Sequence, residues 1–78
     1  MADIHEQQVR RIVAVLVDAR TQAGHSQREL ARRCGLSRTG LSSIESGLAQ
    51  PTVLSLLKIA DALEVELSEV IAAGLRDI

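Results

Sequence analysis

Between residues 24 and 52 this chain carries too many helix start and stop signals for any long element to run through. Gly24 is followed by SQRE (Ser26 to Glu29), then by Gly35 and Ser37, then by Gly47, then by LAQPT ending at Thr52. A Ser or Thr just ahead of an apolar-periodic run reads as an N-cap, since its hydroxyl accepts an amide that the first turn leaves unpaired. A Gly just after such a run reads as a stop, because it enters the left-handed region without a Cβ clash. The chain is therefore cut into short helices joined by tight turns.

The periodicity predicts five of them. The first covers about residues 4–23, with Val9, Ile12, Val13 and Leu16 on one face and Gly24 behind it. SQRE has the form of a capping box, in which Ser26 takes the amide of Glu29 and the Glu29 carboxylate reaches back to Ser26. The helix it opens buries Leu30, Ala31 and Cys34 and stops at Gly35. Ser37 caps a third helix over 38–46, with Leu41 and Ile44 inward and Gly47 closing it. Thr52 starts a fourth that runs to about Leu63 and is apolar over much of its surface (Val53, Leu56, Leu57, Ile59, Ala60). A short fifth helix, 67–73, ends at Gly74. The expected fold is all-α, one compact five-helix domain over residues 1–78.

Composition narrows the function. There is no Phe, Tyr or Trp, so the core is aliphatic, and the aromatic stacking that single-strand binders use is absent. The lone Cys34 has no internal disulfide partner and sits at a core position, where it packs inertly. No apolar run approaches the ~20 residues of a membrane span, and MADIHEQQ lacks the regions of a signal peptide. The expectation is a cytoplasmic protein with no membrane partner. His5 and His25 lack partners at ligand spacing, so no metal or other cofactor is expected, and His25 either extends the turn toward a phosphate ligand or does nothing. With no nucleophile paired to a base and no Gly-rich phosphate loop, the chain does not read as an enzyme.

The net charge of −1 conceals a division. Residues 20–50 carry Arg20, Arg28, Arg32, Arg33 and Arg38 against Glu29 and Glu45, a net of +3. Residues 51–78 carry Lys58 and Arg76 against Asp61, Glu64, Glu66, Glu69 and Asp77, a net of −3. A basic middle is the footprint of a phosphate-binding face. Arg28 and Arg33 fit such a face, and they fit a plain solvated surface equally well.

Two helices joined by a three- or four-residue turn containing Gly describe a helix-turn-helix. Ala31, four residues before Gly35, lies where the two helices come close. With Leu41 and Ile44 turned inward, the outer face of the third helix shows Ser37, Arg38, Thr39, Ser42 and Ser43, with Gly40 among them. In this motif the residues near the start of the second of the two helices meet base edges in the major groove. A face of small polar residues is what that task leaves exposed.

QRELARRCGLSRTGLSSIESG, residues 27–47, resembles the helix-turn-helix of the Cro and C1-type phage repressors, the Xre family. The Gln at the helix start, the Ala and Gly of the turn and the closing I-E-x-G all match. ARTQAG before it and PTVLSLLKIADALEV after it extend the likeness over roughly residues 8–75. The resemblance implies that Gln27 grips a phosphate and that Arg38 is the chief base reader, Arg to guanine being the commonest specific contact. It implies further hydrogen bonds or methyl contacts from Thr39, Ser42 and Ser43. It also implies a buried salt bridge between Arg20 and Glu45, which is architecture. Where the family often has Lys or Arg after the third helix, this chain has LAQ, and Gln50 with the loop amides is left to meet phosphate. Glu64 and Glu66 stand where Gly and Ser are common.

Leu67, Val70, Ile71, Leu75 and Ile78 are more apolar groups than a short final helix buries in its own domain. Leu67, Val70 and Ile71 either cap the core or, as the resemblance favours, join a two-fold dimer through residues 52–78. A dimer sets two third helices about 34 Å apart, one turn of DNA, on a palindromic operator. The expected function is a sequence-specific regulator of transcription on double-stranded DNA, acting as a homodimer and regulating its own operon. The chain also resembles the controller proteins of restriction–modification systems. The alternative is an antitoxin-like module that masks a toxin and regulates its own operon.

Overall fold

In a computed structural model, which describes residues 3–76, helix α1 (Ile4–Gln22) begins where Asp3 accepts the His5 amide at 2.7 Å. Ile12, Val13 and Leu16 are its buried face, and Gly24 (φ +80°) turns the chain out of it. Helix α2 (Gln27–Cys34) buries Leu30, Ala31 and Cys34; helix α3 (Arg38–Ser46) buries Leu41 and Ile44. Helix α4 (Val53–Ala62) adds Leu56, Ile59 and Ala60, and helix α5 (Leu67–Leu75) adds Val70. These twelve aliphatic and thiol side chains form one core. The architecture is the all-α, five-helix one expected, with no strand among the described residues.

The broadest helix–helix contact is α1 on α5; α2 packs on both α3 and α4, and α3 leans on α1. Gly74 sets the first of these. It was expected to end the last helix, yet it lies buried inside α5, and the helix runs on to Leu75. A Cβ on Gly74 would come within 2.8–2.9 Å of the Ile12 backbone. The glycine is a point of close approach, and sequence order alone does not distinguish that use from a stop.

Two caps also differ from expectation. Ser26 accepts the Glu29 amide at 3.0 Å, but Glu29 does not close the box, because its carboxylate is bound by the His25 ring at 2.8 Å. A complete capping box opens α4 instead, with Ser55 N donating to Thr52 Oγ1 at 3.0 Å and Thr52 N to Ser55 Oγ at 2.9 Å. Serine is an unusual third-position partner, so the motif is invisible to a search for Glu or Gln.

Within the region expected to dimerise, residues 52–78, the apolar groups of α5 and those of α4 differ in exposure. Val70 is 5% exposed and spends its side chain on the core, so it has no surface to give a partner. Leu67, Ile71 and Leu75 are half-buried against that core, and Ile78 lies outside the described residues. The uncovered groups are on α4: Val53, Leu54 and Leu57 are 68%, 63% and 50% exposed. Leu48, in the turn ahead of α4, is also open to solvent.

Candidate nucleic-acid interface

The interface is built on the α2–α3 turn. Gly35 takes the left-handed conformation (φ +74°), and the Leu36 amide returns to the Ala31 carbonyl at 3.0 Å. Ala31 is buried beneath that turn, so a larger side chain would force α2 and α3 apart. Ser37 then caps α3, its hydroxyl accepting the Gly40 amide at 2.9 Å. A Cβ on Gly40 would stand 2.9 Å from the same hydroxyl. The glycine costs about 1 kcal/mol of helix propensity, and in return the cap is left undisturbed at the start of the outward face.

Leu41 and Ile44 hold α3 to the core, which turns the other side outward. Arg38 and Thr39 are exposed at its first turn, while Gly40, Ser42 and Ser43 are partly covered. Among the described residues no carboxylate pairs with Arg38 or Arg28. Arg33 and Arg32 are less free, lying 3.9 Å and 3.8 Å from Glu29. Glu29 is held in its charged form chiefly by the His25 hydrogen bond. Desolvation opposes this, and the charges of Arg33, His25 and Arg32 add to it, so its carboxyl titrates below the ordinary value. His25 is thus tied to α2 by its ring, rather than free to extend the turn toward phosphate.

Behind this face the expected Arg20–Glu45 pair is formed, and it is bidentate. Arg20 Nε donates to Glu45 Oε2 at 2.8 Å and Nη2 to Oε1 at 3.0 Å. The two side chains are 15% and 10% exposed. Arg20 Nη1 also donates to the His25 carbonyl at 2.8 Å. Gln27 joins the same group, its Nε2 donating to Glu45 Oε1 at 2.8 Å. The family resemblance had implied the ion pair; nothing in it marked Gln27 as a third member.

The turn after α3 corrects another expectation. The Leu48 and Ala49 amides both donate to the Ser43 carbonyl, at 2.9 and 3.1 Å, and are not available to phosphate. Gln50 Nε2 donates to Glu6 Oε2 at 3.2 Å, a link between α1 and the turn across 44 residues of sequence. One of the two Gln50 amide protons is thus engaged by a carboxylate, whose charge disfavours a phosphate brought close to it. Gln27, Arg38, Thr39, Ser42 and Ser43 share the α2–α3 unit, whereas Gln50 stands apart at the α1 side of the turn.

The helix-turn-helix family pattern matches residues 16–70, which takes in Arg20, Gln27, all of α3 and all of α4. Over 54 residues the chain is 39% identical to the cryptic phage CTXphi transcriptional repressor RstR of Vibrio cholerae, covering 69% of this chain and 48% of that protein. Over 52 residues it is 40% identical to the uncharacterized HTH-type transcriptional regulator y4dJ of Sinorhizobium fredii, 67% of this chain and 68% of that one. The chain thus aligns with about half the length of the first relative and two thirds of the second. Both likenesses and the turn geometry lead to one assignment: the chain belongs to the Cro/C1-type helix-turn-helix family of DNA-binding transcriptional regulators.

Proposed function

We propose that the chain is a sequence-specific regulator that binds a palindromic double-stranded operator as a homodimer and represses its own promoter. The observation that carries this reading is Arg38, exposed and without a carboxylate partner among the described residues, at the first turn of α3, on a face otherwise made of small polar residues. Such a face lets the helix enter the major groove closely while one long cation reads guanine. Gln27 at the start of α2 supplies the phosphate grip that fixes register. Repression is supported by the likeness to the Vibrio phage transcriptional repressor.

Dimerisation rests on α4. Val53, Leu54 and Leu57 leave an aliphatic face in water that the domain's own packing does not use. A second copy is the occupant that function asks for, because one helix reads too few base pairs to find a site in a genome. Half-buried Leu67, Ile71 and Leu75 stand at the margin of such an interface, not at its centre. The same exposed face favours a second reading, in which a foreign protein, such as the toxin of an antitoxin pair, sits on α4.

The experiment is a titration of end-labelled duplex from the gene's own upstream region, against a scrambled duplex, at near-physiological salt. Cooperative binding to the upstream duplex alone supports the regulator. Weak binding that ignores sequence and vanishes with salt overturns it. Sedimentation of the free protein then separates the two readings of α4: a dimer supports the first, and a monomer that binds DNA uncooperatively supports the second.

A further inference from the structure

We infer that Glu45 is a positioning residue for DNA binding: from α3 it holds the Gln27 side chain, so that seating the recognition helix and gripping the phosphate are one mechanical unit. This rests on the proposed reading of α2–α3 as the DNA interface. The geometry is specific. Glu45 Oε2 is taken by Arg20 Nε at 2.8 Å, and Oε1 by Arg20 Nη2 at 3.0 Å and Gln27 Nε2 at 2.8 Å. One carboxylate thus accepts three donors from α1 and α2.

Structural pairing with Arg20 alone needs no glutamine. A free Gln27 side chain at the start of α2 samples several rotamers, and ordering it on DNA costs entropy with each binding event. The bond to Glu45 settles that rotamer beforehand. It uses one of the two Nε2 protons and leaves the other, with Oε1, for a ligand. Arg20 matters to the arrangement because it cancels the Glu45 charge, which would otherwise repel a phosphate brought close to Gln27. Arg20 Nη1 also holds the His25 carbonyl at 2.8 Å. The residues on both sides of the capping Ser26 are therefore anchored to the same ion pair.

The test is a double-mutant cycle on the full chain, with Gln27→Ala, Glu45→Gln and the pair, measured on the upstream duplex that the wild type selects. Gln27→Ala is expected to weaken binding about tenfold, as loss of a hydrogen bond to a charged group does. Glu45→Gln is expected to weaken it about three- to tenfold in the wild-type background and less than about twofold when Gln27 is already Ala. Equal losses in both backgrounds overturn the inference and leave Glu45 a purely structural partner of Arg20. If Glu45→Gln does not fold, the wild-type protein decides by NMR, free of DNA. The Gln27 side-chain amide is expected to show two well-separated proton resonances, one slowed in exchange. A pair with the shifts and exchange of a solvated glutamine overturns the inference. A wild type that selects no DNA would instead sink the proposed function, and the NMR outcome would stand by itself.

Discussion

Helices α3 and α4 are neighbours in sequence, nearly equal in length, and both leave an outer face uncovered, but with opposite chemistry. The outside of α3 is Arg38, Thr39, Ser42 and Ser43; the outside of α4 is Val53, Leu54 and Leu57. Each sits on buried aliphatic residues of the same core, so burial does not account for the difference. A polar face held rigidly, with short side chains and one long cation, suits a polar groove whose edges are hydrogen-bonding groups. An aliphatic face suits another protein surface, because water gains nothing from its exposure. On the proposed function the domain offers two interfaces side by side, and the distinction between them can be broken by single substitutions.

The largest effect is expected on α4. Leu54→Glu places a charge where the side chain is already 63% exposed, so the monomer fold is kept. Sedimentation should shift from dimer to monomer. Operator affinity should fall about 10²–10⁴-fold, the range lost when two linked binding events become independent. A dimer that survives Leu54→Glu would transfer the interface to the half-buried α5 residues and erase the proposed division of labour.

Arg38→Ala addresses the other face and should act on selectivity. It is expected to cost about 1–3 kcal/mol against the preferred base at one position per half-site. The oligomeric state and the far-ultraviolet circular dichroism should stay as they were. Competition between operators varied at each position is the measurement. Unchanged discrimination at every position would remove Arg38 as a base reader and leave it among the solvated charges.

How much of this was legible beforehand differs between elements. The α2–turn–α3 unit was read almost to the residue, because Ser37, Gly35 and Gly47 act locally and Leu41 and Ile44 carry the period. The bounds of α3 and its cap came out as expected. What stayed hidden depends on contacts between distant segments. The Gln27–Glu45 bond spans 18 residues and the Gln50–Glu6 bond 44, and no local pattern encodes either. Gly74 was misread because a glycine at a helix end and one at a helix crossing look alike in sequence. Its role can be checked: Gly74→Ala is expected to destabilise the fold by about 1–3 kcal/mol, the usual cost of overpacking, while leaving base preference intact. Thermal unfolding followed by circular dichroism reads the first, and the operator competition reads the second. Val70 takes the core-capping one of the two uses left open for it, since periodicity marks an apolar face without saying whether it meets the protein's own core or a second chain.

The ends of the two helices give the smallest and most local contrast. Helix α3 stops at Gly47 with φ +85°, a conformation glycine enters freely. The chain leaving α4 turns the same way one residue beyond its C-cap Leu63, but the residue there is Glu64, with φ +58°. Its amide donates to the Asp61 carbonyl at 3.0 Å, and the Val65 amide to the Ala60 carbonyl at 3.0 Å, so the helix end is closed as a glycine would close it. The closure is carried by a residue whose Cβ crowds the backbone in the left-handed region, at about 1–2 kcal/mol. Glu64→Gly relieves that strain and adds back some entropy of the unfolded chain. The expected balance is a gain of about 1 kcal/mol or slightly less, seen as a higher unfolding midpoint in urea with an unchanged slope. Operator affinity should not move, since Glu64 is on neither outer face. A loss of stability would mean that the Glu64 side chain makes a contact worth more than the backbone strain it brings.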